Sequence, residues 1–339
     1  MSENPTFTVN RRRFLQAALL SAAIPRALAA ASDPATAEST LPRGPFGRES
    51  TAEEVTAGLD LSGMTAVVTG CNSGLGYETM RVLALRGAHV IGTARTAEKA
   101  RKACAGIEGQ TTPVMLELSD FGSVRACAET INRMDRPIDM LICNAGIMAL
   151  PELELVYGLE RQFVVNHLGH FLLVNELLGA VSKARQGRVV MVSSRAHRMA
   201  PESGIDFDNL DGSRSYVPWE AYGRSKLANG LFAAELARRT SGTTVTANSL
   251  HPGVIKTNLA RHLDRVIDES RFDKSIPQGA ATQCYVAAHP IPAPISGEYF
   301  VDCNPARASD LMYDEALASR LWSVSEELIR RHGGVATAA

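Results

Sequence analysis

This chain lacks an excess of either charge: its 339 residues carry a formal net charge of -1. That balance argues against the basic footprint that nucleic-acid binding requires. Aromatic residues are few, at 6%, with two tryptophans and seven tyrosines. No uninterrupted apolar run reaches the roughly 18 residues that cross a bilayer, so no transmembrane segment is expected. Cysteine is sparse: Cys71, Cys104, Cys127, Cys143, Cys284 and Cys303. They show neither a CxxC pair nor a metal-ligand spacing, so six free thiols are expected, Cys143 being buried in an apolar run. The remainder, 45% hydrophobic and 21% charged, suits one large soluble α/β domain or two small ones.

The first 31 residues belong to another class. Asn10-Arg11-Arg12-Arg13-Phe14-Leu15 precedes an apolar segment that ends at Pro25, and Ala27-Leu28-Ala29 offers a small-residue cleavage site. A basic region, a short apolar region and an Ala-x-Ala end describe an export signal rather than a membrane helix. The twin arginines resemble those of Tat signals. The expectations are therefore residues 1–31 as a Tat-type signal, the Tat export machinery as a partner and a periplasmic location. A basic N-terminus on a cytoplasmic protein is the alternative. Residues 32–49, rich in Ala, Ser, Thr, Pro and Gly, read as a flexible linker. Residues 50–335 form the folded domain.

Within that domain, short apolar runs alternate with helical spacing. Ser50-Thr51-Ala52-Glu53 has capping-box spacing and starts a short helix. Strands are predicted at 64–69, 89–94, 113–118, 138–143, 188–193, 245–250 and 299–302. Helices are predicted at 75–86, 97–105, 124–134, 163–181, 222–239, 278–288 and 316–331. Such alternation predicts a parallel sheet of about seven strands with helices on both faces. The central strands are near-continuous Val, Ile, Met and Leu, as strands buried on both faces require. Loops at 195–218 and 251–276 are long enough to be functional.

Three features carry chemistry. Thr69-Gly70-Cys71-Asn72-Ser73-Gly74-Leu75-Gly76 follows a strand and opens a helix. Glycines there let the backbone approach a pyrophosphate, and the helix N-terminus supplies free N–H groups. The second strand ends in Arg95, whose guanidinium suits a 2′-phosphate where an acidic side chain would select the 2′-hydroxyl. NADP is therefore expected rather than NAD. Tyr222 and Lys226 share a helix face, being four residues apart. An ammonium near a phenol lowers the phenol pKa, which would fit Tyr222 for acid–base work.

In this order the residues resemble a short-chain dehydrogenase/reductase, a doubly wound Rossmann fold in one domain. The resemblance spans residues 59–303 through the glycine loop, Asn144-Ala145-Gly146, Ser193-Ser194, Tyr222-x3-Lys226 and Pro252-Gly253-Val254-Ile255-Lys256-Thr257. It implies that Ser194 bonds the substrate oxygen, Tyr222 passes the proton and Lys226 holds the nicotinamide ribose, while Asn166 anchors a relay water. It also implies cofactor contacts from Gly70, Asn72, Ser73, Gly74, Leu75, Gly76, Asn144, Ala145, Gly146, Pro252, Gly253, Ile255 and Thr257. Glu117-Leu118 stands where the family has Asp-Leu near the adenine, so that contact is in doubt. Cys71 stands where small residues are usual and would be oxidation-sensitive if exposed. His167, His170 and His251 read as structural rather than metal ligands.

Val165-Asn166-His167-Leu168-Gly169-His170-Phe171 and Leu250-His251-Pro252-Gly253 resemble the retinol dehydrogenase subgroup. Ser50–Thr56 also resembles a chloroplast-associated branch. The expected activity is NADP-dependent hydride transfer to or from a lipophilic alcohol, aldehyde or ketone. A non-catalytic NADP-binding redox sensor and a protochlorophyllide reductase-like enzyme are the alternatives. Residues 256–277 alternate Leu259, Leu263, Val266 and Ile267 with Arg261, Arg265, Asp268 and Glu269. They form either a substrate-covering helix or a solvated one. Oligomeric state is left open, a homo-oligomer among the options.

Overall fold

The computed structural model describes residues 41–259 and 272–333, all within one compact unit. The export signal at 1–31, residues 32–40 and most of the expected substrate loop lie outside the described residues.

After a short helix α1 (Ala52–Val55) come β1 (Thr65–Val68), α2 (Gly74–Leu85), β2 (His89–Ala94), α3 (Ala97–Ala105), β3 (Thr111–Met115), α4 (Phe121–Asn132) and β4 (Met140–Cys143). A small hairpin, β5 (Leu155–Val156) and β6 (Leu159–Glu160), leads into the long helix α5 (Arg161–Ser182). Then follow β7 (Gly187–Val192), α6 (Pro218–Arg239), β8 (Val245–His251), α7 (Ile276–Ala288), β9 (Tyr299–Val301), β10 (Asn304–Pro305) and α8 (Glu315–Gly333). The main sheet runs β3-β2-β1-β4-β7-β8-β9-β10. Seven strands are parallel, and the two-residue β10 pairs antiparallel at the edge. The chain thus goes outward from β1 to β3 and then restarts on the other side at β4. That reversal leaves a crevice at the carboxyl ends of β1 and β4, where doubly wound folds bind ligands.

Strand alternation divides the core in two. Val67, Ile91, Leu141, Val189 and Met191 face one side and pack with α4, α5, α6 and α8. Val68, Val90, Ile142, Val190 and Val192 face the other side and pack with α1, α2 and α7. The predicted strands and helices all appear, with ends shifted by a few residues. β3 starts earlier than expected because Thr111 and Thr112 pair with Val90 and Ile91. The hairpin was not anticipated; its two-residue strands carry too short a pattern to read.

Two expectations need correction. The capping box is Thr51 with Glu54, not Ser50 with Glu53: Thr51 Oγ1 accepts from Glu54 N, and the Glu54 carboxylate accepts from Thr51 N at 2.7 Å. The described part of the 32–49 segment is not a free linker. Phe46 packs edge-on against Tyr285 and His289, and its carbonyl accepts from Asn304 Nδ2 at 2.8 Å. Phe46 and Leu41 pack against the second core. Separately, α5 is 22 residues long and apolar enough by composition to cross a bilayer. Its apolar residues are spread around the helix because most of it is buried in the fold, which is what a central core helix requires.

Candidate active site

The glycine loop turns between β1 and α2. Gly70 and Gly74 have φ of +70° and +58°, a region that favours glycine. At Gly76 the constraint is space: a Cβ would lie 2.3 Å from the Gly70 carbonyl oxygen and 2.5 Å from Asn144 Nδ2. Ser73 is the N-cap of α2 but makes no side-chain cap bond, and no acidic residue occupies the first turn. The N–H groups there are left without a side-chain acceptor, which fits an incoming phosphate. Asn72 is exposed, and Ser73, Gly74 and Leu75 are half-buried. Thr257 approaches from the β8 side, with its Cγ2 3.3 Å from a Cβ placed on Gly74. The loop, the helix end and the residues after β8 therefore meet around one cleft, and these groups suit a dinucleotide pyrophosphate.

Across the crevice, Asn144, Ala145 and Gly146 follow β4. Thr69 Oγ1 accepts from both Asn144 N and Ala145 N at 2.9 Å, and Asn144 Nδ2 donates to Thr69 O at 2.8 Å. Gln283 on α7 braces the arrangement by donating to Leu75 O and Thr79 Oγ1. Sequence reasoning missed Gln283, since a lone glutamine in a helical run carries no distinguishing pattern. Gly146 lies between two site residues: a Cβ there would be 3.0 Å from Asn166 Oδ1 and 3.5 Å from Lys226 Nζ.

Helix α6 positions Tyr222 and Lys226. Its start is set by Pro218 in the first turn, where the missing N–H costs nothing, and its ends are charge-matched by Glu220 and by Arg238 and Arg239. Both site residues are buried on this helix, with Lys226 Nζ 5.7 Å from the Tyr222 ring centroid. The ammonium donates to Val192 O at 2.9 Å. Of the two serines after β7, Ser194 is the one that favours ionisation of the Tyr222 phenol, and its Oγ accepts from Ala196 N at 3.1 Å. The Ser193 hydroxyl instead donates to Lys226 O at 2.7 Å. Trp219, three residues before Tyr222, meets its ring edge-on at 6.0 Å. Sequence reasoning missed it, because the predicted helix began at residue 222 and left Trp219 outside the helix that the structure starts at Pro218.

Asn166 comes from a π-helical turn, Val164–Leu168, inserted in α5. Such turns often mark functional sites. Its amide holds both backbone groups of Ile147, with Oδ1 accepting from Ile147 N and Nδ2 donating to Ile147 O, each at 2.9 Å. Nδ2 also donates to Ser225 Oγ at 2.9 Å. The structure thus brings Asn166 and Lys226 together beside Gly146, with the Tyr222 ring next to the Lys226 ammonium.

Burial dominates the electrostatics. The Tyr222 phenol is pushed up to about 12 by desolvation, which outweighs the Ser194 hydrogen bond. The expectation that Lys226 would lower it does not hold in this structure. The reason is the same burial, which also brings Lys226 itself down to about 8.

Other expected positions separate. Arg95 directly follows β2, is exposed, and so stands at the carboxyl end of the strand that pairs with β1. Pro252, Gly253 and Ile255 are half-buried after β8, Gly253 with φ +110°. The Glu117 carboxylate is folded back onto Ser119 N and Oγ, and the Leu118 side chain is buried in the first core. Cys71 is fully buried, so it does not meet the condition set for oxidation sensitivity. All six cysteines are free and buried.

Comparison with known proteins fits this geometry. A family profile for short chain dehydrogenase matches residues 64–207. "Short-chain dehydrogenase TIC 32 B, chloroplastic" from Brassica napus is 42% identical over 301 residues, covering 84% of this chain and 94% of that one. Retinol dehydrogenase 14 from Homo sapiens is 38% identical over 295 residues, covering 79% and 87%. A solved structure of an uncharacterised protein from Mycobacterium Paratuberculosis superposes with a TM-score of 0.68 at 36% identity, covering 81% of this chain and 97% of that one. The chain belongs to the short-chain dehydrogenase/reductase family, as an NAD(P)-linked oxidoreductase related to the retinol dehydrogenases.

Proposed function

We propose that this protein is an NADP-dependent oxidoreductase that interconverts a lipophilic alcohol and its aldehyde or ketone. The observation that carries the reading is the buried Tyr222 phenol, with the Lys226 ammonium 5.7 Å from its ring on the same helix face. Gly70, Asn72, Ser73, Gly74, Leu75 and Gly76 would hold the pyrophosphate at the α2 N-terminus. Asn144, Ala145 and Gly146 would line the adenosine side, and Pro252, Gly253, Ile255 and Thr257 the nicotinamide side. When bound, the nicotinamide supplies or accepts the hydride.

The chain's own groups manage the proton. Ser194 orients the substrate oxygen, and Tyr222 exchanges a proton with it. A phenol near 12 keeps its proton at neutral pH, so Tyr222 stands ready as an acid for carbonyl reduction. As a base for alcohol oxidation it must first ionise. Oxidation should therefore accelerate with rising pH more steeply than reduction. Lys226 donates hydrogen bonds from a fixed position, and Asn166 holds the 147 segment beside it.

Arg95 supports NADP over NAD, because an exposed guanidinium after β2 can pair with a 2′-phosphate. Retinol dehydrogenases among the relatives support a lipophilic substrate. The arginines at 11–13 support export by the Tat route, with the protein folded around its cofactor before it leaves the cytoplasm. The test is Tyr222→Phe in the purified protein. Reduction of a panel of lipophilic aldehydes and ketones with NADPH should be lost while NADPH binding, followed by its fluorescence, is retained. Full turnover by that variant would refute the assignment. Arg95→Ala should raise the Kd for NADPH about tenfold or more and leave that for NADH nearly unchanged.

A further inference from the structure

His170 is fully buried, and both its ring nitrogens are bonded: Nε2 lies 3.0 Å from Thr69 Oγ1, and Nδ1 lies 3.0 Å from the Asn166 carbonyl oxygen. The proton positions follow from the partners. Asn166 O can only accept, so Nδ1 carries the hydrogen. Nε2 is then an acceptor if the ring is neutral. Thr69 Oγ1 already accepts from Asn144 N and Ala145 N, and its one hydrogen is free to point at Nε2. Each atom in this chain of bonds has a matching role, and none is left over. Burial and the nearby Lys226 ammonium hold His170 far below the ordinary histidine range, at about 4, which agrees with a neutral ring.

The chain of bonds joins two parts of the site that no backbone ladder joins. At one end is Thr69, which closes the cofactor crevice by holding the residues after β4. At the other is the π-helical turn that presents Asn166, whose side chain holds Ile147 and Ser225. We infer that His170 is a positioning residue: its neutral Nδ1–H form ties the Asn166 turn to the crevice between β1 and β4, setting Asn166 relative to Gly146 and Lys226. The inference rests on the proposed oxidoreductase reading for its kinetic consequence but not for its structural one.

Two half-mimics separate the bonds. His170→Asn keeps an N–H near the place of Nδ1, His170→Gln keeps an acceptor near the place of Nε2, and His170→Phe keeps neither. In the cofactor-free protein, nitrogen NMR should show His170 protonated at Nδ1 only. Hydrogen exchange at Ile147 N, which bonds Asn166 Oδ1, should quicken about tenfold or more in His170→Phe and His170→Gln and much less in His170→Asn. With NADPH and all-trans-retinal as the probe, kcat should fall about 10- to 100-fold in His170→Phe. The Kd for NADPH should move less than about threefold, and His170→Asn should recover most of the loss. Circular dichroism and thermal unfolding identify a variant that fails to fold, in which case the two half-mimics decide. A proton on Nε2, or unchanged Ile147 exchange in both His170→Phe and His170→Gln, would overturn the inference. If wild type does not reduce the retinal, the functional reading loses its support while the exchange and NMR results still decide the role of His170.

Discussion

Lys226 is a buried lysine with no carboxylate partner among the described residues, and its ammonium donates to the Val192 carbonyl. Burial lowers it from 10.5 to about 8. Between those values the unfolded chain holds a proton that the folded chain has released. Folding stability from this group is therefore lowest below about pH 8 and rises as pH climbs toward 10.5. Lys226→Met, which keeps the bulk and removes the charge, should unfold at a higher temperature than wild type at pH 7. The advantage should shrink by pH 10, and a pH-independent difference would count against it. The same substitution should remove activity, so stability and function would move in opposite directions. Sequence spacing made the Tyr222–Lys226 pair visible. It could not show that desolvation of both groups outweighs their mutual effect, because burial depends on what α6 packs against.

At the scale of elements, the start of α2 is built for closeness rather than for capping. Gly76→Ala would drive a methyl into the Gly70 carbonyl and the Asn144 amide, both held by backbone or by bonds to Thr69. It should cost about 1–3 kcal/mol of stability and weaken NADPH binding by at least tenfold, measured by chemical denaturation and fluorescence titration. By contrast, α1 is capped in full by Thr51 and Glu54. Thr51→Ala should cost about 1 kcal/mol by the same denaturation assay, with little effect on turnover. These elements were legible because their signals are local: glycine spacing, a Thr-x-x-Glu box, a run of Val and Ile. The box was misplaced by one residue because Ser50 and Thr51 are both competent caps and Glu53 and Glu54 both follow. Only the φ/ψ of Thr51 decides between them.

Across the whole molecule, α8 determines which helix faces remain free. Trp322 lies edge-on to Phe171 of α5 at 5.0 Å and stacks with Phe232 of α6 at 5.5 Å. Arg239 covers its other face at 4.2 Å, and Ser325 bonds His167 at 2.8 Å. Leu321, Leu328 and Ile329 are buried beside it. Burial of four such side chains is worth on the order of 5–10 kcal/mol, comparable with the net stability of a domain. Ending the chain after Asp314 should therefore give a protein that fails to fold cooperatively, as read by circular dichroism and by light scattering. These faces of α5 and α6 are covered by the chain itself. A stable dimer would have to use another surface.

The sequence by itself determined the order of strands and helices, the phosphate loop, the Tyr222–Lys226 pair and the family. Each of these is written in residues close together in the chain, or in a fixed order of motifs. Tertiary structure alone decided that the Ser193 hydroxyl turns to the Lys226 carbonyl, that Glu117 turns back on Ser119, and that the strip around Phe46 docks on α7. It also placed His170 between Thr69 and Asn166. These depend on side chains from distant parts of the chain meeting in a low-dielectric interior. There the cost of an unpaired polar group selects partners that no local pattern specifies.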